Sequence, residues 1–245
     1  AGGCESLTKF HLLGFNALKI LDPEPCKPFD QNRAGINLGE GAAYLVLESE
    51  ESLLTSGNTP LCEVVGWGNS CEAFHQTASS PDGNGAYLAM QKALDMSGLS
   101  PADIDYINAH GTGTDNNDLS EGRAIEKLFG EHMPLVSSTK PFTGHTTSAA
   151  GSTEAILSIL CLQNQVVWPN LNFRERIEEL NFSPVQKLMT GVPVKVVMSN
   201  SFGFGGNDTT LIFRKFNAEN AGNANNVNNA ENANNADNAG KTRAE

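Results

Sequence analysis

The chain is short of positive charge. Sixteen lysines and arginines stand against 28 aspartates and glutamates, a formal net charge of −12, with a pI near 4.8. A nucleic-acid partner normally requires a basic face, so that class is excluded. An acidic protein partner is not excluded, but its docking patch would have to be local. No apolar run reaches the length of a membrane span, and there is no signal-peptide pattern. The five cysteines, Cys4, Cys26, Cys62, Cys71 and Cys161, form no CxxC pair and no regular spacing. A disulfide framework is therefore not expected; reduced thiols in a cytoplasmic protein are.

What is present suits a turn-rich globular protein with room for a core: 245 residues, 39% hydrophobic, with 24 Gly and 11 Pro. The chain opens on Ala1-Gly2-Gly3 rather than Met, which suggests truncation. From Asn217 to Glu245 it is nearly all Asn, Ala, Gly and acidic residues, with Val227 as the only large aliphatic. That stretch cannot bury enough surface to offset its ordering entropy and is expected to be a disordered tail.

The body alternates strand-like and helix-like segments. Strands are expected at Ala42–Glu48, Cys62–Gly68, Asp105–Asn108, Leu135–Ser138, Val194–Ser201 and Thr209–Lys215. Helices are expected at Gly85–Ser97, ending on the C-cap Gly98, at Leu119–Phe129 and at Ala149–Leu162. The order predicts an α/β fold, a layered sandwich of sheets and helices.

Two histidines sit in similar settings. His110 follows the strand Tyr106-Ile107-Asn108, and His145 lies just ahead of the helix that contains Glu154. The C-terminal ends of strands, beside glycines, are where α/β folds place reactive groups. Lys140, five residues before His145, strengthens the functional reading over two hydrogen-bonded loop histidines.

Three stretches carry a resemblance: Asn108-Ala109-His110-Gly111-Thr112-Gly113-Thr114, then Ser137-Ser138-Thr139-Lys140 with Gly144-His145 and Ala149-Ala150-Gly151, then Asn200-Ser201-Phe202-Gly203-Phe204-Gly205-Gly206. In this order they resemble signatures of the elongating β-ketoacyl-acyl-carrier-protein synthases, Claisen-condensing enzymes of fatty-acid and polyketide extension. Asp30, Arg33-Ala34-Gly35 and Gly39-Glu40-Gly41-Ala42 resemble the preceding signature. The match runs to about Phe216 and covers the C-terminal half of that family's thiolase-like αβαβα fold. The implied division is 1–55 as the remainder of the N-terminal half, 56–216 as the C-terminal synthase domain, and 217–245 as the tail.

The resemblance implies decarboxylation of a malonyl thioester and attack of the resulting carbanion on an acyl thioester held by a cysteine. His110 and His145 would stabilise the enolate oxygen, as preorganised donors do. Priming enzymes of the family carry Asn at the second position, so His145 points to the elongating, carrier-protein-dependent class. Lys140 is expected to orient the surroundings of His145, with Glu154 as counter-charge. Thr112 and Thr114 would bind the pantetheine arm. The N–H of Phe204 would contribute to the acyl oxyanion hole and its ring would gate the acyl tunnel, with Phe202 beside it. Asn108, Glu154, Ser199 and Asn200 match positions that surround a structural monovalent cation in some relatives. No other cofactor is implied, since the substrate rides on the phosphopantetheine of acyl carrier protein. That protein, the missing N-terminal half and a second synthase subunit in a homo- or heterodimer are the expected partners.

None of the five cysteines matches the family's nucleophile motif, so the chain alone is expected not to condense anything. Thr146-Thr147-Ser148 replaces an apolar-apolar-Gly run, Ile36-Asn37 replaces an aromatic-containing pair, and Asp208 stands where many relatives have Asn. The alternatives are a non-catalytic partner of the chain-length-determining type and a truncated product. Thiolase-type degradation is disfavoured because Phe202–Asp208 offers no second cysteine.

Overall fold

A computed structural model describes residues 1–217. Apart from Asn217, the expected tail lies outside the described residues. Residues 1–47 and 61–215 pack as one compact unit, and residues 48–60 belong to a second. The boundary expected at 55/56 falls inside that second unit. There, helix α2 (Glu50–Ser56) starts on Ser49, whose hydroxyl accepts the Ser52 N–H, and stops at the left-handed Gly57.

The first unit contains, in chain order, β1 (Gly2–Glu5), α1 (Lys9–Ala17), β2 (Gly41–Tyr44), β3 (Cys62–Cys71), α3 (Asn84–Ser97), β4 (Tyr106–Asn108), α4 (Asp115–Phe129) and β5 (Leu135–Ser137). The short α5 (Lys140–Thr143) follows, then α6 (Ala150–Asn164), β6 (Val166–Val167), β7 (Met189–Thr190), β8 (Val196–Gly203) and β9 (Asn207–Lys215). The central sheet runs β3-β9-β8-β4-β5. It is mixed: β4 is parallel to β5 and β8, while β9 is antiparallel to β8 and β3.

Period-two alternation makes this sheet the middle of three layers. Ile107, Val196, Met198 and Ile212 face one side, with α3 and α4. Their neighbours Tyr106, Val197 and Phe213 face the other, with α6. Glycines set how closely α3 can lie on β3. A Cβ at Gly68 would stand 2.0 Å from the Ala89 carbonyl oxygen, and one at Gly66 would stand 2.3 Å from that of Ala93. Gly68→Val is therefore expected to cost about 1–3 kcal/mol or more, despite valine's strand propensity. A lowered urea midpoint would show it; an unchanged midpoint would contradict this packing.

Several elements differ from expectation. Helix α4 starts four residues earlier than Leu119, because the Thr114 hydroxyl accepts the Asn117 N–H and Asp115 and Asp118 occupy the first turn. Strand β2 ends at Tyr44 because β1, its partner, pairs only Gly41 to Tyr44. Neither β1 nor α1 was expected; both are short, and α1 buries none of its residues. Phe10 and Leu13 on α1, Tyr44 at the end of β2 and Val46 just past it are exposed.

Candidate active site

Register brings the reactive loops together. Asn108 on β4 is level with Ser137 on β5 and with Ser199 on β8. The chain therefore leaves all three strands at one end of the sheet, through 109–114, 138–145 and the turn after Gly203.

The first loop hangs from two buried acids on α4. Glu121 accepts the N–H groups of His110 (2.9 Å) and Gly111 (2.8 Å). Asp118 accepts those of Gly113 (3.1 Å) and Phe29 (2.7 Å). Burial pushes the Glu121 carboxyl up to about 7, against the opposing pull of the Gly111, Asn200 and His110 donors. Arg33 ties the end of the loop by donating to the carbonyls of Thr114 and Asp115. Sequence reasoning missed Glu121 and Asp118; their signal was two acids three residues apart on one helical face.

Lys140 opens α5 and is 1% exposed. Its ammonium donates to Glu154 Oε1 (2.5 Å), to the His110 carbonyl (2.5 Å) and to His110 Nδ1 (3.2 Å). Three donors meet three acceptors. The Glu154 pairing is as expected, but the histidine is the other one. Parallel pairing of β4 with β5 sets residues just past 108 beside those just past 137, whereas His145 lies beyond the turn of α5. Burial raises the Glu154 carboxyl, offset by Lys140.

His145 is held by the fourth signature. Its N–H donates to the Asn37 carbonyl and its own carbonyl accepts the Gly39 N–H. Its Nδ1 accepts the Thr147 N–H at 3.2 Å. A ring nitrogen that accepts carries no proton, so the proton of His145 sits on Nε2. Lys140 imposes the same tautomer on His110. Burial lowers both imidazoles, that of His145 to about 3 and that of His110 well below 6.5, and Lys140 adds to each effect. Both rings are neutral at pH 7. Their centroids are 5.4 Å apart at an interplanar angle of 83°.

Both rings line one cavity of about 590 Å³. With each Nδ1 engaged by the protein, the cavity side is left to the Nε2–H groups. Two neutral donors in a buried, low-dielectric site are suited to an oxygen that becomes negative during reaction. Thr112 and Thr114 line the same cavity, with their hydroxyls 2.9 Å apart. Phe202 is buried against His110, with centroids 5.8 Å apart. Phe204 is half exposed on the turn after β8, 5.9 Å from Phe15, and also lines the cavity. No cysteine among the described residues does so.

The sequence matches the family model described as Beta-ketoacyl synthase, N-terminal domain, over residues 1–52 and the Beta-ketoacyl synthase, C-terminal domain, over residues 61–174. The chain belongs to the β-ketoacyl synthase family. It is 40% identical over 226 residues to 3-oxoacyl-[acyl-carrier-protein] synthase 2 of Staphylococcus aureus (strain COL), covering 89% of this chain and 54% of that protein. It resembles a chain of the complex of the ketosynthase ApeO with its chain length factor ApeC from Xenorhabdus doucetiae. That match has a TM-score of 0.79 and 38% identity, covering 88% of this chain and 52% of the other. It also resembles AntDE:AntF, a type II polyketide synthase acyl-carrier protein in complex with its ketosynthase. There the TM-score is 0.83 and the identity 29%, covering 89% of this chain and 56% of the other. The fold is the thiolase-like α/β fold of these ketosynthases. This chain spans about half the length of the relatives it matches.

Of the four positions matched to a cation in some β-ketoacyl synthases, Asn108, Ser199 and Glu154 share one side of the sheet, and Asn200 faces the other. Ser199 and Asn200 are successive on β8 and so face opposite sides. Asn200 donates to Glu121 and accepts from Thr210. Asn108 is occupied by Thr139, the Glu154 carbonyl and Ser158. Of these four residues, Glu154 alone keeps a buried side-chain acceptor without a partner, its Oε2. No group of three or more His, Cys, Asp or Glu among the described residues is placed to hold a metal.

Asp208, where many β-ketoacyl synthases carry Asn, is buried at the start of β9. Burial and the neighbouring Glu72 push its carboxyl up to about 7 from an ordinary 3.8. Glu72 is itself engaged by the N–H and hydroxyl of Ser80. A raised folded-state pKa means that stability is fully present below about pH 4, declines as pH rises, and levels off above about 7. Asp208→Asn is therefore expected to gain on the native chain between pH 5 and pH 8. Urea midpoints at the two pH values would test this, and parallel profiles would rule it out.

Proposed function

We propose that this chain carries the malonyl-decarboxylating part of an elongating β-ketoacyl-ACP synthase. The observation that supports it is the pair of buried imidazoles that line one cavity, each with its Nδ1 occupied by the protein, which leaves Nε2–H for a ligand. In the proposed reaction the bond between the malonyl α-carbon and its carboxylate breaks and CO2 leaves. The bonding electrons pass into the enolate of the thioester, whose oxygen accepts hydrogen bonds from His110 and His145. The α-carbon then attacks the acyl thioester carbonyl. The new C–C bond forms as the cysteine thiolate departs, giving a β-ketoacyl thioester on the carrier protein. Thr112 and Thr114 face the pantetheine arm, and Phe204 stands at the acyl channel.

The cysteine would come from a segment of the kind that precedes these signatures in relatives. Such a segment would cover the exposed Phe10, Leu13, Tyr44 and Val46. Acyl carrier protein and a second synthase subunit are the proposed partners. Five free thiols suit the cytoplasm, and no helix among the described residues is long and apolar enough to cross a membrane.

The test is a chimera in which residues 1–217 replace the matching part of the Staphylococcus aureus synthase. It should release CO2 from malonyl-ACP and condense the product with the acyl group on its cysteine. A folded, acylated chimera that released none would defeat the proposal.

A further inference from the structure

The resemblance to the family's signatures marks Thr146-Thr147-Ser148 as a departure, three polar residues in place of an apolar-apolar-Gly run. In the fold, Thr147 supplies the N–H that occupies His145 Nδ1, and it does so from a positive φ of 36°. A β-branched residue in that region is strained and persists only where its surroundings over-determine it.

One side chain supplies that constraint from the far end of the chain. Glu5 Oε2 accepts the Thr147 hydroxyl, the Ser148 hydroxyl at 2.8 Å and the Ser148 N–H at 3.3 Å. Glu5 Oε1 accepts the Ser6 N–H and contacts His11 Nδ1 at 3.2 Å, so both oxygens are engaged. The approach is built into β1. Gly3 lies two residues earlier on the same face, where a Cβ would stand 2.4 Å from the Ser148 carbonyl oxygen. Glycine there lets the strand lie against the turn, and Glu5 then reaches its hydroxyls. The Glu5 side chain is 8% exposed. The Thr147 and Ser148 hydroxyls, more than His11, hold its carboxyl down to about 2, so it is a carboxylate throughout the working range.

We propose that Glu5 is a positioning residue for His145: by clamping Thr147 and Ser148 it fixes the turn whose N–H holds the imidazole in the Nε2–H form. This rests on the reading of His145 as an oxyanion donor. The tautomer is read without substrate, so the clamp and the decarboxylation can fail separately.

The experiment is 15N NMR of the histidine rings in the native chain and in Glu5→Ala, Glu5→Gln and Thr147→Val. His110, whose tautomer Lys140 sets, serves as the internal reference. The native chain should show one His145 tautomer with an unprotonated Nδ1. Glu5→Ala should lose that signature and average the two ring nitrogens while His110 keeps its own. Glu5→Gln, whose carbonyl still accepts from the hydroxyls, should retain it. Thr147→Val keeps the N–H and removes the hydroxyl from the other end of the clamp, so it should behave like Glu5→Ala even if that variant folds poorly. A single Nε2–H tautomer in both Glu5→Ala and Thr147→Val would overturn the proposal. So would a Glu5→Gln variant that loses the signature as fully as Glu5→Ala.

Discussion

Replacing Lys140 with alanine is expected to destabilise the fold by about 3–5 kcal/mol, the usual cost of stranding one member of a buried ion pair. Glu154 would keep a buried carboxylate with one oxygen newly unpaired and the other already without a partner. The His110 carbonyl and Nδ1 would lose their donor in the same stroke. Urea unfolding gives the loss directly. A second comparison separates charge from packing: Lys140→Met with Glu154→Met removes both charges and should cost much less than Lys140→Ala alone. If the double replacement cost as much, the pair would matter for its shape rather than its charge. His110 should also lose its single tautomer in Lys140→Ala while His145 keeps its own, because Thr147 and not Lys140 holds that ring.

The second large effect is on rate. In the chimera, His110→Ala or His145→Ala should each lower malonyl decarboxylation by about 10²–10³-fold, the usual loss when one oxyanion donor is removed. Acyl transfer to the cysteine should change little, since neither imidazole is assigned to that step. The double variant should fall short of the product of the two losses, because two donors to one oxygen act together. A fall confined to acyl transfer would place the histidines in the wrong half of the reaction.

Much of this arrangement was legible in the sequence, and the exceptions share a cause. The long strands were read as apolar segments between turn residues, and β8 shows such a run most clearly because it is buried on both faces. The two histidines could be paired because each lies at a strand end beside glycines. Which histidine Lys140 touches was not legible. That depends on β4 running parallel to β5, a pairing set by the whole sheet. Glu121 looked like one more acid on a helix, and its role appears only when the loop ten residues earlier folds back over it. Glu5 is 142 residues from Thr147, and no local pattern joins them. Strand β1 escaped notice because Gly2 and Gly3 have no strand propensity of their own; their value lies in what they allow to come near.

The way the two rings are tethered also limits what the site can do. Each imidazole has spent its basic lone pair on the protein scaffold, one on an ammonium and the other on a peptide N–H. Neither can take a proton from anything in the cavity. On the proposed reading, enolates that arise by deprotonation are closed to this pair, and those uncovered by shedding a leaving fragment remain. A substrate that brings its own expendable carboxylate meets that condition; a plain acetyl thioester does not.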